Sequence, residues 1–233
     1  MLSLRRSLQH RFQSLIFSRS FRNWKLTKSA IRRLLRNPVA VIVEVGAADG
    51  IDTLEFLSEF DHPQFRIFAI EPDPRNIEKF VVNVSDTRAR LLPVAVGDGN
   101  GVSDFHQSST PYSSSLKKPN VKLLQYHWPE MKFDRVIKVN VATLDSIVDD
   151  QRLEGVDFIW CDIQGAEDLL IAGAKKTLRI TRYFYTEYSQ ENFYEDDNSL
   201  DKICQLLGPD WRLLRDYGTD ALFENWSLKN ACN

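Results

Sequence analysis

The 233-residue sequence predicts an α/β fold, a mostly parallel sheet covered by helices on both faces. Three observations predict it. Short apolar runs rich in Val, Ile and Phe recur at Val39–Val45, Phe65–Ile70, Val156–Cys161 and Tyr183–Tyr188. Segments with apolar residues at helical spacing separate them, and such alternation favours parallel strands joined by crossover helices. The first run ends in Gly46-Ala-Ala-Asp-Gly50, a strand-to-helix turn. Glycine there permits a close ligand approach, and the helix start offers N–H groups.

Each element has its own signal. Val39–Val45, bounded by Pro38 and Gly46, is apolar at nearly every position, as in a strand buried on both faces. Leu54, Phe56, Leu57 and Phe60 give Asp52–Phe60 an apolar helical face, and Phe65–Ile70 completes one βαβ unit. Pro72 and Pro74 open a second helix, Asn76–Asn83, since proline is tolerated in a first turn. Arg90–Val96 reads as a third strand. Asp98-Gly-Asn-Gly101 is a strong turn signal, from which Gly97–Leu116 reads as a hairpin. Within it, Ser108–Ser115 reads as a polar loop at the ligand edge. Arg135–Val141 is a strand, and Thr143 caps a helix running to Val148. Ala166–Ala174 and Leu200–Leu207 are helices, and Trp211–Leu214 with Asp220–Glu224 makes a closing pair of strands.

An apolar content of 43% is ample for a core, and no run approaches the ~18 to 20 apolar residues of a membrane span. Cys161, Cys204 and Cys232 are odd in number and scattered, which points away from a disulfide framework and towards a reducing, cytoplasmic setting. Neither they nor His10, His62, His106 and His127 stand at metal-ligand spacing, so no metal is assigned.

The net charge of −2 conceals an asymmetry: residues 1–37 hold ten of the thirty Lys and Arg and no acid, leaving 20 basic against 32 acidic residues. Leu8, Phe12, Leu15 and Ile16, then Ile31, Leu34 and Leu35, recur there at helical spacing. Residues 1–37 therefore read as a basic amphipathic helical arm, and 38–233 as the domain. Three uses fit the arm: packing on the domain, peripheral contact with an anionic membrane or polyanion, or a cleaved transit peptide. The acidic body argues against nucleic acid as a partner.

The chemistry of the first turn follows from its charges. A dinucleotide site sets such a turn against a pyrophosphate and carries Gly-x-Gly-x-x-Gly, which this chain lacks. Glu44 and Asp49 flank the turn instead, where they repel phosphates and attract a cation. S-adenosylmethionine carries a sulfonium and an α-ammonium. Glu71, 25 positions after Gly46, ends the second strand where an acid can accept hydrogen bonds from both ribose hydroxyls. Its alternative is a solvated strand-end carboxylate.

Glu44-Val-Gly-Ala-Ala-Asp-Gly-Ile-Asp-Thr53, Glu71-Pro-Asp-Pro-Arg-Asn76, Ala95-Val-Gly97, Thr143-Leu-Asp145 and Asp162-Ile-Gln-Gly-Ala-Glu167 occur in the order seen in FkbM-type methyltransferases. The resemblance spans about Val39 to Glu224. It implies the Rossmann-like class I methyltransferase fold, with about seven strands, the last antiparallel. It also implies S-adenosylmethionine as cofactor and O-methylation of a sugar, lipid-linked glycan or secondary metabolite. In that frame Gly46, Ala47 and Gly50 line the methionine part, Glu44 and Asp49 pair with its ammonium, and Thr53 lies one turn into the first helix. Glu71 holds the ribose, and Val96, Gly97 and Asp98 lie beside the adenine. The chain departs from the family pattern at Gln164, where many members have glutamate, and at Trp160, where lysine is frequent.

Methyl transfer to an alcohol needs alignment, exclusion of water and a base for the hydroxyl proton. Asp162, Glu187 and His106 are the candidates, with Glu167 behind them. Each has a structural alternative: Asp162 as a helix cap, Glu187 as a buried hydrogen-bonding group, His106 as a strand-end surface residue. Acceptor selection falls to Gly99–Lys132 and Ser189–Asn198, whose Tyr112, Tyr126, Trp128, Phe193 and Tyr194 suit a sugar or apolar ring. The competing classes are an NAD-type oxidoreductase and a non-catalytic methyltransferase-like binding protein.

Overall fold

Continuous β-branched and aromatic runs form the centre of the fold, as expected of strands covered on both faces. The computed structural model describes residues 31–35, 39–196 and 198–231. The chain divides into two units, 1–37 and 38–233. Within the first, residues 31–34 form a helical turn closed by Leu35 N–H donating to the Ile31 carbonyl, with both side chains buried. The remainder of the expected amphipathic arm lies outside the described residues.

The second unit runs β1 (Val41–Val45), α1 (Ile51–Glu59), β2 (Arg66–Ile70), α2 (Pro74–Asn83), β3 (Ala89–Leu92), β4 (Ala95–Val96) and β5 (Gly101–Gln107). It continues with α3 (Val121–His127), β6 (Arg135–Ala142), α4 (Leu144–Asp150), β7 (Val156–Cys161), α5 (Glu167–Ala172) and β8 (Thr181–Glu187). It closes with α6 (Leu200–Leu207), β9 (Trp211–Asp216), β10 (Asp220–Asn225) and α7 (Trp226–Ala231). Seven strands form the main sheet in the order β3-β2-β1-β7-β8-β10-β9. The first five are mutually parallel, and β10 runs antiparallel to both neighbours. This is the Rossmann-like arrangement expected, with the last strand reversed.

Alternate side chains of the central strands serve opposite faces. Val43, Val45, Ile159 and Cys161 pack against Leu144 and Ile147 of α4, Leu170 and Ile171 of α5, and Ile203 of α6. On the other face Phe56 of α1 meets the Trp160 ring edge-on at 5.6 Å, and Phe80 of α2 packs with Ala47 and Ala69. Asp73 caps α2 by accepting from Arg75 N–H, and Thr143 caps α4 by accepting from Ser146 N–H. Among the described residues no helix is long and apolar enough to cross a membrane.

Two expectations are corrected. Arg90–Val96 is not one strand: β3 ends at Leu92, and β4 joins a second sheet of order β4-β6-β5. Pro93 has no N–H for a ladder, so the strand breaks there. The Gly97–Leu116 hairpin does not form either. Ala95 and Gly101 both pair with Val141, from opposite edges, so β4 and β5 flank β6 rather than each other. The turn at Asp98–Gly101 was legible, but its two arms are separated by a strand 34 residues further on.

Candidate active site

Gly46 makes the sharp turn at the end of β1 because nothing larger fits. A Cβ there would stand 1.8 Å from the Asp162 carbonyl oxygen, and φ is +89°, where non-glycine residues are strained. The glycine thus serves the contact between β1 and the segment leaving β7, whose Asp162 N–H donates to the Val45 carbonyl at 2.9 Å. Gly46 and Ala47 N–H groups both donate to the Ile70 carbonyl, and Gly50 N–H donates to the Ala47 carbonyl. Ala48 N–H donates to Glu71 Oε2. The N–H groups of Gly46, Ala47, Ala48 and Gly50 are thus engaged within the fold and do not form the amide cradle that binds phosphate.

Four acidic groups stand on β1, on the turn that ends it and just after β2. Glu44 is fully buried, and its Oε2 accepts from Thr53 Oγ1 at 2.5 Å, so it lies beneath the turn rather than beside it. Asp49 accepts from the Tyr112 hydroxyl at 2.8 Å. Glu71 fastens the end of β2 to the turn: Oε2 accepts from Ala48 N–H at 2.9 Å, and Oε1 accepts from Asp73 N–H at 2.8 Å and Asn76 Nδ2 at 3.4 Å. Burial pushes the Glu71 carboxyl up to about 7 against the pull of those donors. It is therefore buried and tied, not the solvated carboxylate of its alternative reading, and two oxygens with about four acceptor sites keep capacity for a further donor.

The fourth, Asp73, organises a strap. Arg75 forks onto it, with Nε to Oδ1 at 3.0 Å and the second guanidinium nitrogen to Oδ2 at 2.6 Å. The same guanidinium donates to the Ser108 carbonyl and to Ser114 Oγ, while Gln107 Nε2 donates to Asp73 Oδ1. With Asn76 donating to the Pro111 carbonyl, these bonds hold residues 108–115 over the β2 edge. The Arg75 hydrogen bonds and charge keep the Asp73 carboxyl below its usual range although burial opposes them.

At the ends of β7 and β8, Gln164 Nε2 donates to Asp162 Oδ1 at 2.7 Å and to Glu187 Oε2 at 3.0 Å. Gln164 has φ +53°, a strained value for this residue type, and its carbonyl accepts from Ser115 Oγ at 2.8 Å. The two carboxyls also share a hydrogen bond. Asp220 stands beside them, bonded to the Tyr185 hydroxyl, and the Tyr185 ring stacks on Trp160 at 4.2 Å. Asp162 and Glu187 keep partial exposure at the carboxyl ends of β7 and β8. Burial raises the Asp162 carboxyl to about 6. Burial, and then the Asp162 charge, raise Glu187 well above its ordinary value. With its carboxyl near 6, Asp162 is the member of the pair that ionises towards neutral pH, whereas burial and the Asp162 charge favour the protonated form of Glu187.

The structure does not gather every expected residue. Asp162 caps no helix: α5 begins after Ala166 without a side-chain cap. His106 is bonded through its backbone to Ser115 and feels Asp104, Lys118 and Glu195, with burial lowering its pKa; it stands with those residues and not with the carboxyl pair. Glu167 is buried, accepting from Gly165 N–H and Asn198 Nδ2. Val96 packs in the main core, Gly97 N–H donates to the Ala142 carbonyl, and Asp98 is exposed. Asp73 and Arg75 fall within the Glu71–Asn76 motif and Asp73 caps α2 locally, but their hold on residues 107–115, like the roles of Gln107 and Asp220, depends on partners far along the chain. Among the described residues no group of three or more His, Cys, Asp or Glu is arranged to hold a metal ion.

Comparison with known proteins adds three findings. Residues 44–220 match the sequence profile of the Methyltransferase FkbM domain. The chain is 38% identical over 207 residues to 2-O-methyltransferase NoeI of Sinorhizobium fredii, covering 84% of this chain and 83% of that protein. It resembles the crystal structure of methyltransferase FkbM from Methylobacillus flagellatus KT, with TM-score 0.50 and 16% identity, over 79% of this chain. The chain spans 43% of the length of that structure, and at this identity the likeness speaks to fold alone.

Proposed function

Since the chain belongs to the FkbM methyltransferase family, we propose that it moves a methyl group from S-adenosylmethionine to a hydroxyl of a sugar, lipid-linked glycan or secondary metabolite. One observation carries the reading: the Asp162–Glu187 pair, held by Gln164 against the turn that ends β1. The 38%-identical relative, a 2-O-methyltransferase, supports oxygen as the acceptor atom.

The residues fit the cofactor. A turn with four of its N–H groups engaged within the fold and acids beside it favours a cation over a pyrophosphate, which disfavours the NAD reading. Asp49 and, from beneath, Glu44 with Thr53 set the negative potential for the ammonium. Gly46, Ala47 and Gly50 shape the wall, and Glu71 accepts from the ribose. Val96, Gly97 and Asp98 are the segment assigned to the adenine, on their place in the chain alone. When bound, the cofactor supplies an electrophilic methyl carbon on a positively charged sulfur.

Asp162 is placed to act as general base and take the acceptor's hydroxyl proton; the methyl group would pass to the hydroxyl oxygen as its bond to sulfur breaks, and neutral S-adenosylhomocysteine would leave. Glu187, accepting from Gln164 and sharing a hydrogen bond with Asp162, holds the base in position. His106 is the remaining candidate base, and its place by Lys118 and Glu195 assigns it to acceptor contact. Residues 38–233 form the catalytic domain. Residues 1–37 are a docking arm for an anionic membrane or polyanionic acceptor, a reading that rests on their charge. Calorimetry tests the cofactor: S-adenosylmethionine and S-adenosylhomocysteine bind and NAD does not. A response to NAD alone would overturn the assignment.

A further inference from the structure

Two loops assigned to acceptor selection meet at the carboxyl edge of the sheet. Asn120 N–H donates to the Phe193 carbonyl and Glu195 N–H to the Lys118 carbonyl, each at 2.8 Å. Pro119 and Tyr194 form an antiparallel bridge. Against this bridge lies a shallow cleft of about 170 Å³, lined by Lys118, Pro119 and Asn120 and by Asn192, Tyr194 and the acids Glu195 and Asp196. Sites that engulf a drug-sized ligand span roughly 300–1,000 Å³, so this one has room for a single ring-sized group.

An aromatic shelf continues from the cleft. The His127 and Trp128 rings each lie 5.4 Å from Phe193, and Tyr126, 81% exposed, meets His127 edge-on at 5.2 Å. In the other direction the cleft reaches the reaction edge. Tyr194 packs on Gly165, where an added Cβ would stand 2.9 Å from the Tyr194 Cβ, and Gly165 follows the Gln164 that holds Asp162 and Glu187. His106 lies close enough to feel Lys118 and Glu195.

This is carbohydrate chemistry. A sugar ring offers C–H groups on its faces and hydroxyls around its rim. Aromatic faces take the former, and amide, carboxylate and ammonium groups take the latter. We propose that the cleft and shelf hold the sugar residue adjacent to the one that is methylated, so that the acceptor is an oligosaccharide or glycoconjugate and not a free monosaccharide. The inference rests on the hydroxyl-methylating reading above.

The test is retention of the full chain, loaded with S-adenosylhomocysteine, on an array of immobilised mono- and oligosaccharides. Retention on at least one oligosaccharide, and none on the corresponding monosaccharides, is expected. Tyr126→Ala and Glu195→Ala, both at exposed positions, should each weaken that retention about tenfold while S-adenosylhomocysteine affinity stays unchanged. Normal S-adenosylhomocysteine binding with no oligosaccharide retained, or retention indifferent to both variants, overturns the subsite alone. Absence of S-adenosylhomocysteine binding overturns the reading on which it rests.

Discussion

Asp220 stands directly across from Glu187 in the antiparallel pairing of β10 with β8, which places a third carboxyl beside Asp162 and Glu187. Three such groups at one strand edge cannot all ionise together. Glu187 is the one driven furthest towards its protonated form, and the Asp220 charge contributes to raising both neighbours.

The base therefore has a pH signature. With Asp162 raised to about 6, kcat/KM should rise with pH through about 6 as the carboxyl loses its proton. Asp220→Asn removes a neighbouring negative charge and should move that midpoint down. A pH–rate profile flat from pH 5 to 8 would contradict the assignment.

Glu71 should couple cofactor binding to proton release. Its carboxyl is raised from 4.5 to about 7 in the fold, so the folded protein holds a proton that the unfolded chain has lost. The stability this group contributes is fully present below pH 4.5 and is lost as pH rises through about 7. Ribose hydroxyls donate to the ionised form, so S-adenosylhomocysteine should bind more tightly as pH rises through 7, releasing a proton near pH 6.5. Calorimetry in buffers of different ionisation enthalpy counts that proton. Glu71→Ala should weaken binding by ~1–3 kcal/mol.

Two glycines separate crowding from strain. Gly46→Ala sets a Cβ 1.8 Å from the Asp162 carbonyl oxygen and should cost at least ~4 kcal/mol or prevent folding. Gly218 also has positive φ, with nothing within 4 Å of an added Cβ. Gly218→Ala should cost only the backbone strain, ~1–3 kcal/mol. Chemical denaturation measures both, and equal losses would contradict the packing described at Gly46.

Arg75→Ala should loosen the strap. Asp73 is buried and forked by Arg75, which also reaches Ser108 and Ser114. Hydrogen exchange should accelerate across residues 106–115 and leave β7 and β8 unchanged. Unaltered protection in the loop would show that Gln107 and Asn76 hold it unaided.

Much of the fold was legible because the central strands are continuous apolar runs and the helices carry local caps, as at Thr143. What was not legible depended on pairing between distant segments. Nothing near Gly101 shows that its partner strand begins at Arg135, and Asp220 becomes a neighbour of Glu187 only through the register of β10. The same holds for the site. Glu44, Asp49 and Glu71 stand out as acids beside a turn, whereas nothing in the motif that holds Asp73 and Arg75 shows that they fasten a loop more than 30 residues away. Gln164 was visible as a departure from the family pattern, but its bridging role needed the meeting of β7 and β8.

The most direct test incubates the protein with methyl-labelled S-adenosylmethionine and a glycoconjugate extract, comparing wild type with Asp162→Asn. The account predicts label in alkali-stable methyl ethers with the wild type, and an initial rate about 100-fold lower with Asp162→Asn at unchanged S-adenosylhomocysteine affinity. Equal rates for the two proteins, or label recovered only as alkali-labile esters, would contradict it.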